Sequence, residues 1–406
     1  MITSISWRNI WRNKLRSSVL LTAIGIGVFA GVFAWAFMQG MGKQRVEAAI
    51  KTEVAHIQIH HPEYLTDPNI HNYMEDGFWT AEMAIDQPYV KATSMRLIFP
   101  AMVASAETST GVSLRGINPS HERRVTDIHE RIVKGQYFEG ISRNPIVIGQ
   151  KLADKLKLKV RSKVVVTLQN MEGEIVKAQF RVAGIFKTTN STYDQMNAFV
   201  NERDLASLTG IGRDAGHEVA LIVYEGEDIE YVREELQGFF GDLELKTWDE
   251  VRPEISLITD QLNIGMYVMM SIILLGLGFG IVNTMLMAIL ERTKELGMLM
   301  AIGMNRFRMF RMILTETIFI CITGTIIGVI VGTALSAIYG TVGMDLSWWS
   351  DGMEKIGMDP VVFPFLTPDI IWIVCAMVFV VAIIASIAPA VKALKLNPAE
   401  AIRTDN

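Results

Sequence analysis

The sequence predicts a membrane protein with four transmembrane α-helices and a large extracytoplasmic α+β domain between the first and second helices. Three observations carry that expectation. Half of the 406 residues are hydrophobic and only 20% are charged, a balance shifted away from ordinary soluble domains. Four uncharged apolar runs, 17–42, 261–290, 317–344 and 370–391, each exceed the ~20 residues that a helix needs to cross the hydrocarbon layer. Between the first two runs lies a long polar stretch with no low-complexity linker.

Taken in order, the chain divides into a cytoplasmic amphipathic N-terminal segment (1–17), the first span (18–42), the extracytoplasmic domain (43–260) and the second span (261–290). A cytoplasmic segment (291–311), the third span (312–340), an external loop (341–368), the fourth span (369–391) and a cytoplasmic tail (392–406) follow. The first run is too long for a signal-peptide core of about 7–15 residues. Orientation follows from basic residues at the span ends. Arg8, Arg12, Lys14 and Arg16 precede the first span, Arg292, Lys294, Arg306, Arg308 and Arg311 follow the second, and Lys392, Lys395 and Arg403 follow the fourth. The loop before the fourth span instead carries Asp345, Asp351, Glu354 and Asp359 against Lys355 alone. Both termini are therefore expected in the cytoplasm.

Within 43–260, segments rich in Val, Ile and Phe that alternate with polar residues predict strands at 54–60, 97–104, 111–116, 163–169, 179–186 and 219–224. Helices are expected at 149–156, 202–208 and 228–239. The segment 248–262 reads as a helical stalk into the second span, interrupted by Pro253.

Several function classes drop out. A net charge of −5 provides no basic field for nucleic acid. Cys321 and Cys375 lie in apolar runs, which excludes a disulfide framework. His56 and His60 share a strand face, with His61 opposite and His71 nearby, but two same-face histidines do not close a metal site, so surface or interface histidines are expected and no metal is assigned. No catalytic motif occurs, and the phosphate-cradling G-x-x-x-x-G-K-[ST] string is missing from the sequence.

Local strings add a resemblance. Glu291-Arg292-Thr293-Lys294-Glu295-Leu296-Gly297-Met298-Leu299-Met300-Ala301-Ile302-Gly303, and the closing stretch from Pro389 through Asn397-Pro398-Ala399-Glu400-Ala401-Ile402-Arg403, resemble the cytoplasmic signatures of MacB/FtsX-type permeases of ABC transporters. Gly116-Ile117-Asn118-Pro119, Ile132-Val133-Lys134-Gly135-Gln136-Tyr137 and Val147-Ile148-Gly149-Gln150-Lys151-Leu152-Ala153 resemble the family's periplasmic core domain. The start Trp7-Arg8-Asn9-Ile10-Trp11-Arg12-Asn13-Lys14 and His56-Ile57-Gln58-Ile59-His60 are most similar to the lipoprotein-releasing (Lol-type) branch. One departure is that 169–179 leaves room only for a short hairpin, where the carrier-recruiting subunit of that branch has an extended hook.

The resemblance implies a permease, itself not an enzyme and without a cofactor, whose ATP and Mg are bound by a partner ATPase subunit. It places ATPase coupling at Glu291, Arg292, Lys294, Glu295, Leu296, Gly297, Leu299, Ala301, Ile302 and Gly303. Independently, Leu296, Leu299, Met300 and Ile302 beside four charges fit a short amphipathic helix lodged in a partner's groove; the plain alternative is a positive-inside loop. Gly324, Gly328 and Gly332 recur every four residues and form a helix-packing face. Glu316 near the start of the third span is expected to pair with Arg308 or Arg311 at the headgroups. Met38, Met41, Met266, Met269 and Met270 cluster at the external ends of the first two spans, which in the resembling family flank the entry site of a lipid-bearing substrate.

The expected partners are thus an ABC ATPase, a second permease copy or paralogue, a lipoprotein or other amphiphilic cargo, and a periplasmic carrier or adaptor, with no nucleic acid. The expected setting is the cell inner membrane, as a dimer working by mechanotransmission. Rival readings are MacB-like efflux of peptides or drugs through an adaptor and outer-membrane duct, and FtsX-like regulation of cell-wall hydrolases.

Overall fold

The computed structural model describes residues 14–141 and 143–394; the N-terminal string 1–13 and the tail from 395 onward, with the charges and signatures read on them, lie outside the described residues. The chain divides into two compact units: a membrane unit made of residues 14–43, 259–345 and 361–394, and an ectodomain made of 44–258 together with 346–360.

In the membrane unit four helices are long and apolar enough to cross a bilayer, within Ser17–Val54, Pro253–Glu291, Arg306–Val342 and Pro368–Leu394. They are hydrophobic around most of their circumference, as a helix solvated by lipid must be. Their buried sides form one core in which Ile24, Val28, Val32, Met270, Ile281, Val374 and Ala382 are fully enclosed. Asn305 caps the third span by accepting a hydrogen bond from the Phe307 N–H, and Pro368 starts the fourth, where a missing N–H costs nothing. The third span ends at Gly343, whose φ of 79° closes the helix.

The ectodomain is built on β1 (Ile57–His60), β2 (Val90–Ala104), β3 (Ser109–Ile117), β4 (Ile132–Gly135), β5 (Pro145–Gly149), β6 (Lys163–Gln169), β7 (Ile175–Phe186), β8 (Asn197–Asn201), β9 (Glu218–Val223) and β10 (Glu244–Thr247). They form one sheet in the order β10-β1-β9-β2-β3-β8-β5-β7-β4, with β6 bridging β2 and β7. The pairings β2-β3, β3-β8, β8-β5, β5-β7, β7-β6 and β6-β2 make a closed ring. Closure leaves no open edge within the ring, and among the described residues only the short strands β10 and β4, each paired on one side, remain as edges of the sheet. Strand β2 allows this because its first half pairs with β9 and its second half with β6 along the same side. Alternate residues Leu97, Phe99, Ala101 and Val103 then point into the ring and meet Leu114, Ile148, Val166, Phe180 and Val200. A second core, containing Ile57, Ile59, Val219, Leu221, Val232 and Leu236, lies under the β9-β1-β10 extension.

The expected strand 54–60 is shorter than predicted. Residues Ile50–Val54 continue the first helix as a π turn that ends at Ala55, with φ 64°. The stalk is broken as expected near Pro253: a short helix at Trp248–Val251 precedes Pro253–Glu291.

Candidate functional site

At one end of the membrane unit, the segment after the second span folds as a nine-residue helix, Thr293–Ala301. Arg292 precedes it and joins it to the third span. Its Nη1 donates to both Glu316 oxygens, at 3.1 and 3.4 Å, and its Nε donates to Glu295 at 3.2 Å. Glu316 therefore pairs with Arg292; the expected partners Arg308 and Arg311 are exposed. The helix places Leu296 and Gly297 inward, with Leu299 and Met300 partly packed on the core of the spans. This corrects the expectation that all four apolar residues serve a partner. Met298 and Ile302 point outward, Ile302 being 78% exposed, and Lys294, Ala301 and Gly303 are exposed beside them.

The glycine face of the third span packs against the first span. A Cβ on Gly324 would stand 2.8 Å from Ile24, one on Gly328 2.6 Å from the Gly25 carbonyl oxygen, and one on Gly332 3.1 Å from Val32. Only hydrogen at these positions permits the two backbones to approach so closely. Among the five methionines, Met266 and Met270 are buried within the span core, and the Met270 sulfur fills the space over Gly31. These two are core-packing residues of the spans, whereas Met38, Met41 and Met269 are half-buried.

The ectodomain holds two buried polar networks that sequence reasoning did not find. In the first, Arg96 is forked onto Glu122, with Nη2 to Oε1 at 2.7 Å and Nε to Oε2 at 3.1 Å, and its Nη1 reaches Glu218. Burial pushes the Glu218 carboxyl up, but Arg96, with Arg115 and His60 behind it, outweighs burial and holds it below the ordinary range. Two histidines beside this network are core residues, which for His60 differs from the expected surface or interface placement. His60 lies between the Gln58 side-chain oxygen and the His217 carbonyl. His217 accepts from the Ile98 N–H and faces the Ile70 carbonyl through Nε2, and burial pushes its pKa down to about 4.

The second network surrounds Glu53, whose side chain is 1% exposed. Its Oε1 accepts from Arg45 Nη1 at 3.1 Å and from Asn190 Nδ2 at 3.0 Å, while Arg252 approaches Oε2 at 3.6 Å. Gly357 packs directly on the Arg45 guanidinium, and three residues before it Glu354 pairs with Lys187 at 2.9 Å. The loop between the third and fourth spans is thereby fastened to the ectodomain. No local sequence signal marks most of these contacts, because their members lie far apart, by 137 positions for Asn190 and Glu53 and by 167 for Lys187 and Glu354.

Four spans carrying an inserted, ring-closed α+β domain define a multi-pass membrane protein of the permease type, with no chemistry-bearing constellation built into the described residues. The MacB-like periplasmic core domain model matches residues 17–239 and the FtsX-like permease C-terminal model matches residues 267–398. The chain thus belongs to the MacB/FtsX-type ABC transporter permeases. An uncharacterized ABC transporter permease of Methanocaldococcus jannaschii is 28% identical over 298 residues, covering 70% of this chain and 69% of that protein. The lipoprotein-releasing system transmembrane protein LolC of Neisseria meningitidis serogroup B is 22% identical over 334 residues, covering 75% of each. The periplasmic region of MacB from Actinobacillus actinomycetemcomitans aligns with a TM-score of 0.36 at 12% identity, covering 54% of this chain and 95% of that one. Membership of this family implies an ATPase partner.

Proposed function

We propose that this chain is the permease subunit of an inner-membrane ABC transporter, pairing with a second permease copy or paralogue and two ATPase subunits that bind ATP and Mg. Hydrolysis in those subunits moves the spans, and the motion drives a conformational change in the periplasmic domain that extracts or exports a lipoprotein, lipid or other amphiphile. Both termini face the cytoplasm. The observation that carries the reading is the division of the Thr293–Ala301 helix and its C-cap Ile302 into two faces, Leu296 locked into the spans and Met298 and Ile302 left outside. An exposed apolar pair on a helix held rigidly by its other side is what a partner's groove requires. Likeness to LolC favours lipoprotein or lipid cargo; a carrier is not part of this reading, because the β6-β7 connection is a tight turn around Gly173.

Reconstitution of the complex in vesicles tests the docking face. Ile302→Asp should weaken ATPase association more than tenfold, or ~1.4 kcal/mol, and leave the ectodomain folded. Association equal to wild type would remove the coupling role. Lipids and proteins that co-purify in mild detergent then identify the cargo class, and recovery of an adaptor and outer-membrane duct would favour efflux.

A further inference from the structure

We infer that Trp348 and Trp349 form a membrane-surface anchor, inserted at the headgroup level of the leaflet on the ectodomain side. These residues lie in the loop between the third and fourth spans, in the 3-10 turn Ser347–Trp349. Trp348 is 82% exposed and Trp349 54%, and their rings stack with centroids 6.5 Å apart. Two adjacent indoles left in water on a short loop are costly, whereas the membrane interface accepts the ring and hydrogen-bonds the N–H.

Their distance from the end of the span is limited by the chain. The uncharged part of the third span, Thr317 to Val342, rises ~39 Å at 1.5 Å per residue against a hydrocarbon layer of ~30 Å, so its end reaches the headgroup zone. The two-residue strands Met344–Asp345 and Val361–Val362 pair directly after that end and bring the two ends of the loop together. Trp348 follows Asp345 by three residues, a reach of ~10 Å at most. Trp372, 75% exposed one turn into the fourth span, is the interfacial aromatic expected at that end of a lipid-facing helix. The loop's surplus of acids, Asp345, Asp351, Glu354 and Asp359 against Lys355, argues for zwitterionic lipid and a partition that is insensitive to salt, because anionic headgroups would be repelled.

Other residues of the loop pack on the ectodomain. Met353 and Met358 are buried, Glu354 holds Lys187 and Gly357 lies on Arg45. The loop is therefore built with one face for the ectodomain and a tryptophan tip left free of it.

Spin labelling of the full chain in phosphatidylcholine nanodiscs tests the anchor. With Cys321 and Cys375 replaced, a label at Trp348→Cys should be readily relaxed by oxygen and shielded from a water-soluble nickel chelate, relative to a label at exposed Glu225→Cys. Equal access of the chelate to the two labels would overturn the proposal. Shielding from both relaxants would also overturn it, since a second copy or another protein would then cover the pair. A second measurement leaves the cysteines untouched: the difference in emission between wild type and W348F/W349F isolates the pair, and phosphatidylcholine brominated near the headgroup should at least halve it at both low and high salt. Emission that the brominated lipid leaves unquenched would refute insertion.

Discussion

The guanidinium of Arg292 donates to Glu316 across 24 positions of sequence, at 3.1 Å, and ties the residue that follows the second span to the first turns of the third. Both side chains are mostly shielded, at 18% and 12% exposure. Glu316→Ala leaves Arg292 with the more exposed Glu295 alone, so it should lower stability by about 1–3 kcal/mol, less than a deeply buried pair would lose. Unfolding of Glu316→Ala, Arg292→Ala and the double variant in detergent checks this, and the double variant should lose clearly less than the sum of the singles. Strict additivity would show the contact to be idle.

The helix that follows Arg292 yields a contrast between two substitutions. Glu295 is engaged with Arg292, so Glu295→Lys disturbs the chain's own junction as well as any partner. Ile302 touches solvent alone on its exposed side, and surface changes of that kind usually stay within about 0.5 kcal/mol of wild-type stability. Thermal unfolding should therefore separate the two, with Glu295→Lys lowered and Ile302→Asp unchanged. A drop for Ile302→Asp would mean that the residue supports the fold.

Gly328 offers a sharper packing test. Its missing Cβ would sit 2.6 Å from the Gly25 carbonyl oxygen and 2.7 Å from Val28. Gly328→Ala should thus force the first and third spans apart at a cost of ~1–3 kcal/mol. Gly276→Ala in the second span, where nothing lies within 4 Å, should be neutral or slightly stabilising. Equal behaviour of the two would refute close backbone packing.

The spans were legible because length without charge is a one-dimensional signal, and the sheet strands with one solvated face were legible through alternation. The ring closure was not, since it depends on β2 changing partners halfway along one continuous strand whose first half carries Lys91, Thr93, Ser94 and Arg96. Strands β5 and β8 were missed for a different reason: Pro145–Gly149 and most of Asn197–Asn201 are buried on both faces and show no alternation. The partner of Glu316 was misjudged because arginines close in sequence outcompete a distant one in any local reading. Which of the methionines pack inward was not legible, because a methionine facing lipid and one facing the core are the same letter in an apolar run.

Two buried groups in the ectodomain pull stability in opposite directions with pH. Burial, opposed by hydrogen bonds from the Thr188 hydroxyl and N–H, raises the Asp194 pKa to about 7. A carboxyl raised on folding contributes stability that is full below its unfolded value near 3.8 and lost as pH rises through about 7. His217, lowered to about 4, contributes stability that is present above its unfolded value near 6.5 and lost as pH falls toward 4. Asp194→Asn keeps an acceptor for Thr188 and removes the ionisation, so between pH 5 and 8 its Tm should fall less than that of wild type. Parallel Tm curves for the two proteins would show that Asp194 titrates normally.

The packing of Gly357 on Arg45 permits a test of the network around Glu53. Gly357 has φ 74°, and a Cβ there would stand 2.8 Å from the guanidinium carbon of Arg45. Gly357→Ala therefore carries two costs: about 1–2 kcal/mol of backbone strain for a side chain in the left-handed region, and displacement of Arg45 from Glu53. Displacement strands a carboxylate that is 1% exposed, leaving it with Asn190 and the more distant Arg252. Arg45→Met removes the guanidinium and with it the second cost, while the strain remains. Denaturant unfolding of the full chain in detergent should show Gly357→Ala costing at least 1 kcal/mol less in the Arg45→Met background than in wild type, a coupling in the range found for residues in contact. Equal costs in the two backgrounds would mean that the loop and Arg45 act independently, and the fastening of loop to ectodomain would then rest on other contacts, such as the Lys187–Glu354 pair and the buried Met353 and Met358.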